Sequence, residues 1–178
     1  CLFLLFVFTA KSQQSLNINL LSNFDYNNDL SDVWGYANDS GEYALVGVYN
    51  GISVVDVTNP YNPIELGFFP GPESIWRDLK TWGGYLYCIN DEDGDGGAGL
   101  QILNLEELIN GVNNPTYIEN MSLEFETAHN IYIDENGVLY VFGADYGTGG
   151  ALMYDLVANP ENPPLLGVFN DYYLHDGM

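Results

Sequence analysis

The chain has 178 residues, enough for one sizeable core, and its 47% apolar and 15% aromatic content with 20 glycines suits many short strands and tight turns while excluding a disordered polymer. Three Lys and Arg face 25 Asp and Glu, a formal net charge of −22. A surface so acidic repels phosphate backbones and anionic lipid headgroups, which excludes nucleic acid as a partner; it serves solubility in the plain reading and attracts cations such as Ca2+ in the functional one.

Residues 1–10, CLFLLFVFTA, are an unbroken apolar run followed by the polar Lys11-Ser12-Gln13-Gln14. About ten apolar residues are too few to cross a bilayer and match the central part of a signal peptide; a buried strand is the alternative. Residues 1–12 therefore read as a partial signal peptide that lacks its own start, with a mature chain from about Gln13. No Cys follows in lipoprotein fashion, and no transmembrane span is expected. Export places the protein outside the cytoplasm, secreted or at the cell surface. Cys88 would then be alone in the mature chain, with no internal disulfide, and its run Tyr85-Leu86-Tyr87-Cys88-Ile89 makes it a small buried hydrophobe.

Internal repetition organises residues 13–178. Gly51-Ile52-Ser53-Val54-Val55-Asp56 runs into Asn59-Pro60-Tyr61-Asn62-Pro63 and then Leu66-Gly67; Gly150-Ala151-Leu152-Met153-Tyr154-Asp155 runs into Asn159-Pro160-Glu161-Asn162-Pro163 and Leu166-Gly167. A weaker third copy spans Gly99–Leu105 and reaches Asn114-Pro115 after an insertion, with a helical turn expected at Leu105–Ile109. The strand is apolar, the Asp or Asn after it can accept hydrogen bonds from following amides, and Asn-Pro stops the strand. The second Pro opens an edge strand, where a missing N–H is harmless. Aromatic-rich strands precede the copies at Glu42–Gly47, Tyr85–Asn90 and Val138–Gly143. Before those come Asp32-Val33-Trp34-Gly35, Asp78-Leu79-Lys80-Thr81 and Asn130-Ile131-Tyr132-Ile133, and Asp176-Gly177-Met178 opens another such unit. The anchors Asp32, Asp78, Asn130 and Asp176 are spaced by 46, 52 and 46 residues.

Four strands in a unit of about 45–50 residues describe a propeller blade, whose faces are buried only by stacking on neighbours. The expectation is an all-β fold: a β-propeller fragment of about three four-stranded antiparallel blades plus the start of a fourth, truncated at its C-terminal end and presenting an open edge. A β-sandwich is the runner-up.

The strand Ile52-Ser53-Val54-Val55-Asp56 resembles the LVIVD repeat. The succession Asp32–Tyr36, Glu42–Gly47, Asp56–Pro60, Ser74-Ile75-Trp76-Arg77-Asp78-Leu79-Lys80, then Ala128-His129-Asn130-Ile131 and His175-Asp176, resembles the choice-of-anchor B family over residues 29–178. That resemblance implies a secreted bacterial β-propeller, tethered at the cell surface by a C-terminal anchor that varies between members, with no established catalytic activity. The acidic loop at 91–95 is expanded relative to the family's shorter Gly-rich hairpin.

Candidate sites follow from the repeat. First strands of successive blades line a propeller's channel, so Asp32, Arg77, Asp78, His129, Asn130, His175 and Asp176 form a candidate ligand-binding ring at its mouth. The plainer reading is hydrogen-bonded cross-linking of blades. Zinc would need three or four converging ligands from this set. Asp91-Glu92-Asp93-Gly94-Asp95 resembles the first half of a Ca2+ loop, making Asp91, Asp93 and Asp95 candidate ligands and Ca2+ the candidate cofactor, although Ile102 stands where an EF-hand has its bidentate Glu. No Gly-x-Ser-x-Gly elbow surrounds Ser74. Trp34, Trp76, Trp82, Tyr172 and Tyr173 are expected mainly as core, with a sugar- or peptide-stacking surface the alternative. The preferred function is a non-catalytic binding module for a protein or glycan at the cell surface; the alternative is a metal-dependent hydrolase or lyase at the channel mouth.

Overall fold

The computed structural model describes residues 17–92, 97–121 and 123–178. The signal-peptide reading of residues 1–12, and Asp93 and Asp95 of the acidic loop, lie outside the described residues.

Three four-stranded antiparallel sheets follow one another, each a meander in chain order. The first holds β1 (Leu30–Asn38), β2 (Gly41–Val48), β3 (Gly51–Asp56) and β4 (Ile64–Pro70). The second holds β5 (Arg77–Trp82), β6 (Tyr85–Asn90), β7 (Leu100–Asn104) and β8 (Tyr117–Met121). The third holds β9 (Asn130–Ile133), β10 (Val138–Phe142), β11 (Ala151–Asp155) and β12 (Leu165–Phe169). The opening strands lie side by side, β1 against β5 and β5 against β9. This is the blade arrangement of a propeller, and the equal strand order in every sheet rules against the sandwich.

The turns form as the residue types dictate. Asp56 Oδ1 accepts from the Thr58 amide at 2.9 Å and Asp155 Oδ1 from Val157 and Ala158 at 3.0 Å. Asn59 and Asn159 then cap the amides of Tyr61 and Glu161. In the second sheet Asn104 Oδ1 takes the Glu107 amide at 3.0 Å and starts the short helix α1 (Leu105–Ile109); Glu107 Oε2 accepts from the Thr116 amide at 2.6 Å and closes the insertion.

Two repeat signatures have a geometric cause. A Cβ at Gly51 would sit 2.3 Å from the carbonyl oxygen of Phe69, at Gly99 2.3 Å from that of Met121, and at Gly150 2.0 Å from that of Phe169. The third strand of each sheet thus opens where the fourth strand's backbone leaves no room for a side chain. The Leu-Gly pair marks a β-bulge: pairing skips Leu66 between Val54 and Val55, and Leu166 between Met153 and Tyr154.

The middle sheet is packed on both faces and contributes to two cores. Leu86, Cys88 and Leu103 face the first sheet and pack with Leu45, Ile52, Val54 and Leu79. Tyr87, Ile89, Leu100 and Ile102 face the third sheet and pack with Ile131, Leu139, Val141, Leu152 and Tyr154. Period-two alternation puts successive β6 residues into opposite cores, so Tyr85–Ile89 is an unbroken apolar run. Cys88 is fully buried, its thiol directed at the Ile89 carbonyl, and burial pushes its pKa up to about 11. Cys88 should therefore resist maleimide in the native protein at neutral pH and label fully in urea, read by the mass of its own peptide, apart from Cys1. Rapid native labelling would contradict this packing.

Candidate functional site

The anchors join one sheet to the next. Asp32 Oδ2 accepts from the Leu79 amide at 3.2 Å. Asp78 Oδ2 accepts from the Ile131 amide at 2.7 Å and from Asn130 Nδ2 at 2.6 Å. Asn130 Oδ1 accepts from the Gly177 amide at 3.1 Å. Each side chain reaches forward to the residue just after the next anchor, so the spacing of 46, 52 and 46 residues is the spacing of a molecular staple. The segment Asp176-Gly177-Met178 takes the fourth place in this series, though no strand begins there among the described residues.

Asp78 is buried, and desolvation holds its carboxyl above the usual range against the lowering pull of Lys80 and the Ile131 amide. Lys80 bonds the other Asp78 oxygen, lies 4.0 Å from Asp32 Oδ2 and sits 4.5 Å over the Trp34 ring. Asp32 Oδ2, Asp78 Oδ2 and Asn130 Oδ1 thus each accept from the unit that follows.

The residues one place earlier, Ser31, Arg77, His129 and His175, meet in pairs across sheet junctions. Ser31 Oγ accepts from the Arg77 amide at 2.8 Å. Arg77 is buried as a clamp between the first two sheets: Nε donates to the Val48 carbonyl at 2.9 Å, Nη1 to Gln101 Oε1 at 2.9 Å, and Nη2 to the carbonyls of Tyr49 and Pro72. Of the seven ring candidates, His129, His175 and Asp176 come together. The imidazole centroids of His129 and His175 are 3.8 Å apart, tilted by 51°. His129 Nδ1 lies 2.6 Å from Asp91 Oδ2, and His175 Nδ1 lies 2.6 Å from Asp176 Oδ2.

This pair opens onto a cavity of ≈ 630 Å3 lined by Trp76, Asp91, Glu92, His129 and His175, at the end where β5 and β9 begin. Ser74 builds one wall. Its buried hydroxyl donates to the Trp76 carbonyl at 3.0 Å and accepts from the Trp76 amide at 2.9 Å, so it fixes a turn. The Asp91 amide donates to the same Trp76 carbonyl at 2.9 Å, tying the two residues together. Trp76 is 56% exposed. A second hollow of ≈ 470 Å3, lined by Trp34, Tyr36, Tyr43 and their neighbours, has Glu42 as its one carboxylate and lacks a constellation of reactive groups.

The structure differs from expectation for several aromatics. Trp82 is half-buried against the core, but Trp34, Trp76, Tyr172 and Tyr173 are exposed. Trp76 belongs to the turn before β5, so no strand alternation turns it inward. Glu92, and Asp91 as the partner of His129, carry no repeat signature, because the acidic loop reads as a unit of its own in the sequence.

The first sheet carries the decisive likeness. Residues 35–69 match the LVIVD repeat. That stretch runs from within β1 almost to the end of β4, so one LVIVD repeat corresponds to one sheet, with its strand-ending Asp56 as the turn-forming carboxylate. The second and third sheets keep the strand order of the LVIVD sheet and extend its staples. No curated protein matches the chain. Among the described residues no helix is long and apolar enough to cross a membrane.

Proposed function

We propose that this chain is part of an exported, surface-displayed β-propeller of the choice-of-anchor B kind, acting as a non-catalytic binding module. Its ligand is a neutral or cationic glycan gripped at the cleft of Trp76, Asp91 and Glu92. The observation that carries this is the exposed Trp76 face beside carboxylates in a ≈ 630 Å3 cleft, while Arg77 and Asp78 are tied up between sheets. An indole face stacks on a sugar ring, and carboxylates accept from its hydroxyls or ammonium groups. The LVIVD match supports a repeat-based scaffold, and the apolar run of residues 1–10 supports export. The rigid sheets hold the loops in place, so binding loses little to ordering.

Tryptophan fluorescence titrated with N-acetylglucosamine and glucosamine oligomers tests this reading. Saturable quenching is expected, weakened at least tenfold in Trp76→Ala, with the oligomers recovered uncleaved by chromatography. Equal binding by Trp76→Ala, no saturable quenching, or cleaved oligomers would each defeat it.

A further inference from the structure

We propose that His129 and His175 form a binding site for one divalent transition-metal ion, of which zinc is the representative. The inference names an ion held at the same cleft and rests on that cleft being the ligand-binding end of the sheets.

The donor set is the first support. One ligand atom from each of His129, His175 and Asp176 lies within 4.8 Å of the others, close enough to share an ion. The two imidazoles come from different sheet units, 46 residues apart, yet their rings meet at 3.8 Å. Imidazole nitrogen suits zinc, copper and nickel better than Ca2+ or Mg2+, which prefer oxygen alone.

The surroundings of the rings are the second, independent support. A carboxylate only accepts hydrogen bonds, so Asp91 beside His129 Nδ1 and Asp176 beside His175 Nδ1 make each of those nitrogens the N–H donor. In the neutral ring that leaves the lone pair on Nε2. Behind His129 the Asp91 carboxylate fixes the tautomer and orients the ring, as carboxylates do behind metal-bound histidines, whereas Asp176 leaves His175 Nδ1 to join the ion as the third ligand. Asp91 is thus a positioning residue, held by its own amide on the Trp76 carbonyl. The cleft supplies room for water or for a ligand atom to complete the coordination. The net charge of −22 raises the local concentration of cations.

The test uses ZnCl2 alone as probe, on the full chain freed of metal with a chelator. Calorimetry should give one equivalent of zinc per chain. The imidazole nitrogen spectrum should show His129 and His175 as Nδ1–H tautomers before addition and shifted Nε2 signals after it. His129→Ala and His175→Ala should each weaken binding at least tenfold with unchanged circular dichroism, and Asp91→Asn about 10- to 100-fold, the range for loss of an outer carboxylate. CaCl2 should leave both imidazole signals in place. Zinc uptake that persists in the double histidine variant, or Nε2 signals untouched by zinc, overturns the site. Glycan titration of the metal-free protein separates the two proposals: zinc can fail while the oligomers still bind, and the reverse.

Discussion

Arg77→Met will destabilise the fold by about 2–4 kcal/mol, the loss expected when a buried guanidinium that serves several neutral acceptors is removed. Methionine keeps the apolar stem but removes every guanidinium donor. The carbonyls of Val48 and Pro72 and Gln101 Oε1 then lose this donor, and the Tyr49 carbonyl keeps only the Ser74 amide at 2.8 Å. Each buried acceptor left without a partner adds its desolvation cost. Arg77→Lys should recover less than half of the loss, because one ammonium cannot serve acceptors spread around a planar fork. Urea unfolding followed by circular dichroism measures both variants. A loss under about 1 kcal/mol for Arg77→Met would mean that the clamp does not hold the sheets together.

Asp78→Ala should cost about 2–4 kcal/mol, since the Ile131 amide and Asn130 Nδ2 lose their acceptor and Lys80 loses its nearest carboxylate. This substitution also carries a pH signature. Burial raises the Asp78 carboxyl above the ordinary carboxylate range, so between the two values the folded chain binds its proton more firmly than the unfolded chain. The stability from this titration is complete below the ordinary value and is lost as pH rises through the raised one. The gap in Tm between wild type and Asp78→Ala should therefore be widest in acid and narrow with rising pH to a plateau. A gap that widens with pH would show that Lys80 and the Ile131 amide outweigh desolvation.

The fold was readable because its signals are local. The Asx residues at 56, 104 and 155 and the Asn-Pro stops act within a few residues of themselves and form the expected turns, and the glycines at 51, 99 and 150 mark strand starts although the backbone they make room for lies on the fourth strand. Even the turn at Leu105–Ile109 announced itself, through Asn104 and the acidic pair behind it. The cleft was half readable. Equal places in the repeat put His129 and His175 in register, but the repeat says nothing of which neighbour a side chain faces. Asp78 and His129 sit at adjacent positions of the unit, and one bridges the sheets while the other faces the cleft. Asp91 meets His129 across 38 residues, a contact made by sheet stacking and by no local preference. Trp76 stands outside because Ser74 bends the backbone ahead of β5, a geometry that apolar periodicity does not encode.

The forward reach of the anchors gives the array a polarity. Each anchor offers an acceptor to the unit that follows it, as Asp32 does for Leu79, Asp78 for Ile131 and Asn130 for Gly177. Whole units can thus be duplicated or deleted in evolution without orphaning a donor, whereas a cut inside a unit strands one. A chain emerging residue by residue finds each new sheet's docking acceptor already in place, so assembly advances in one direction like a ratchet.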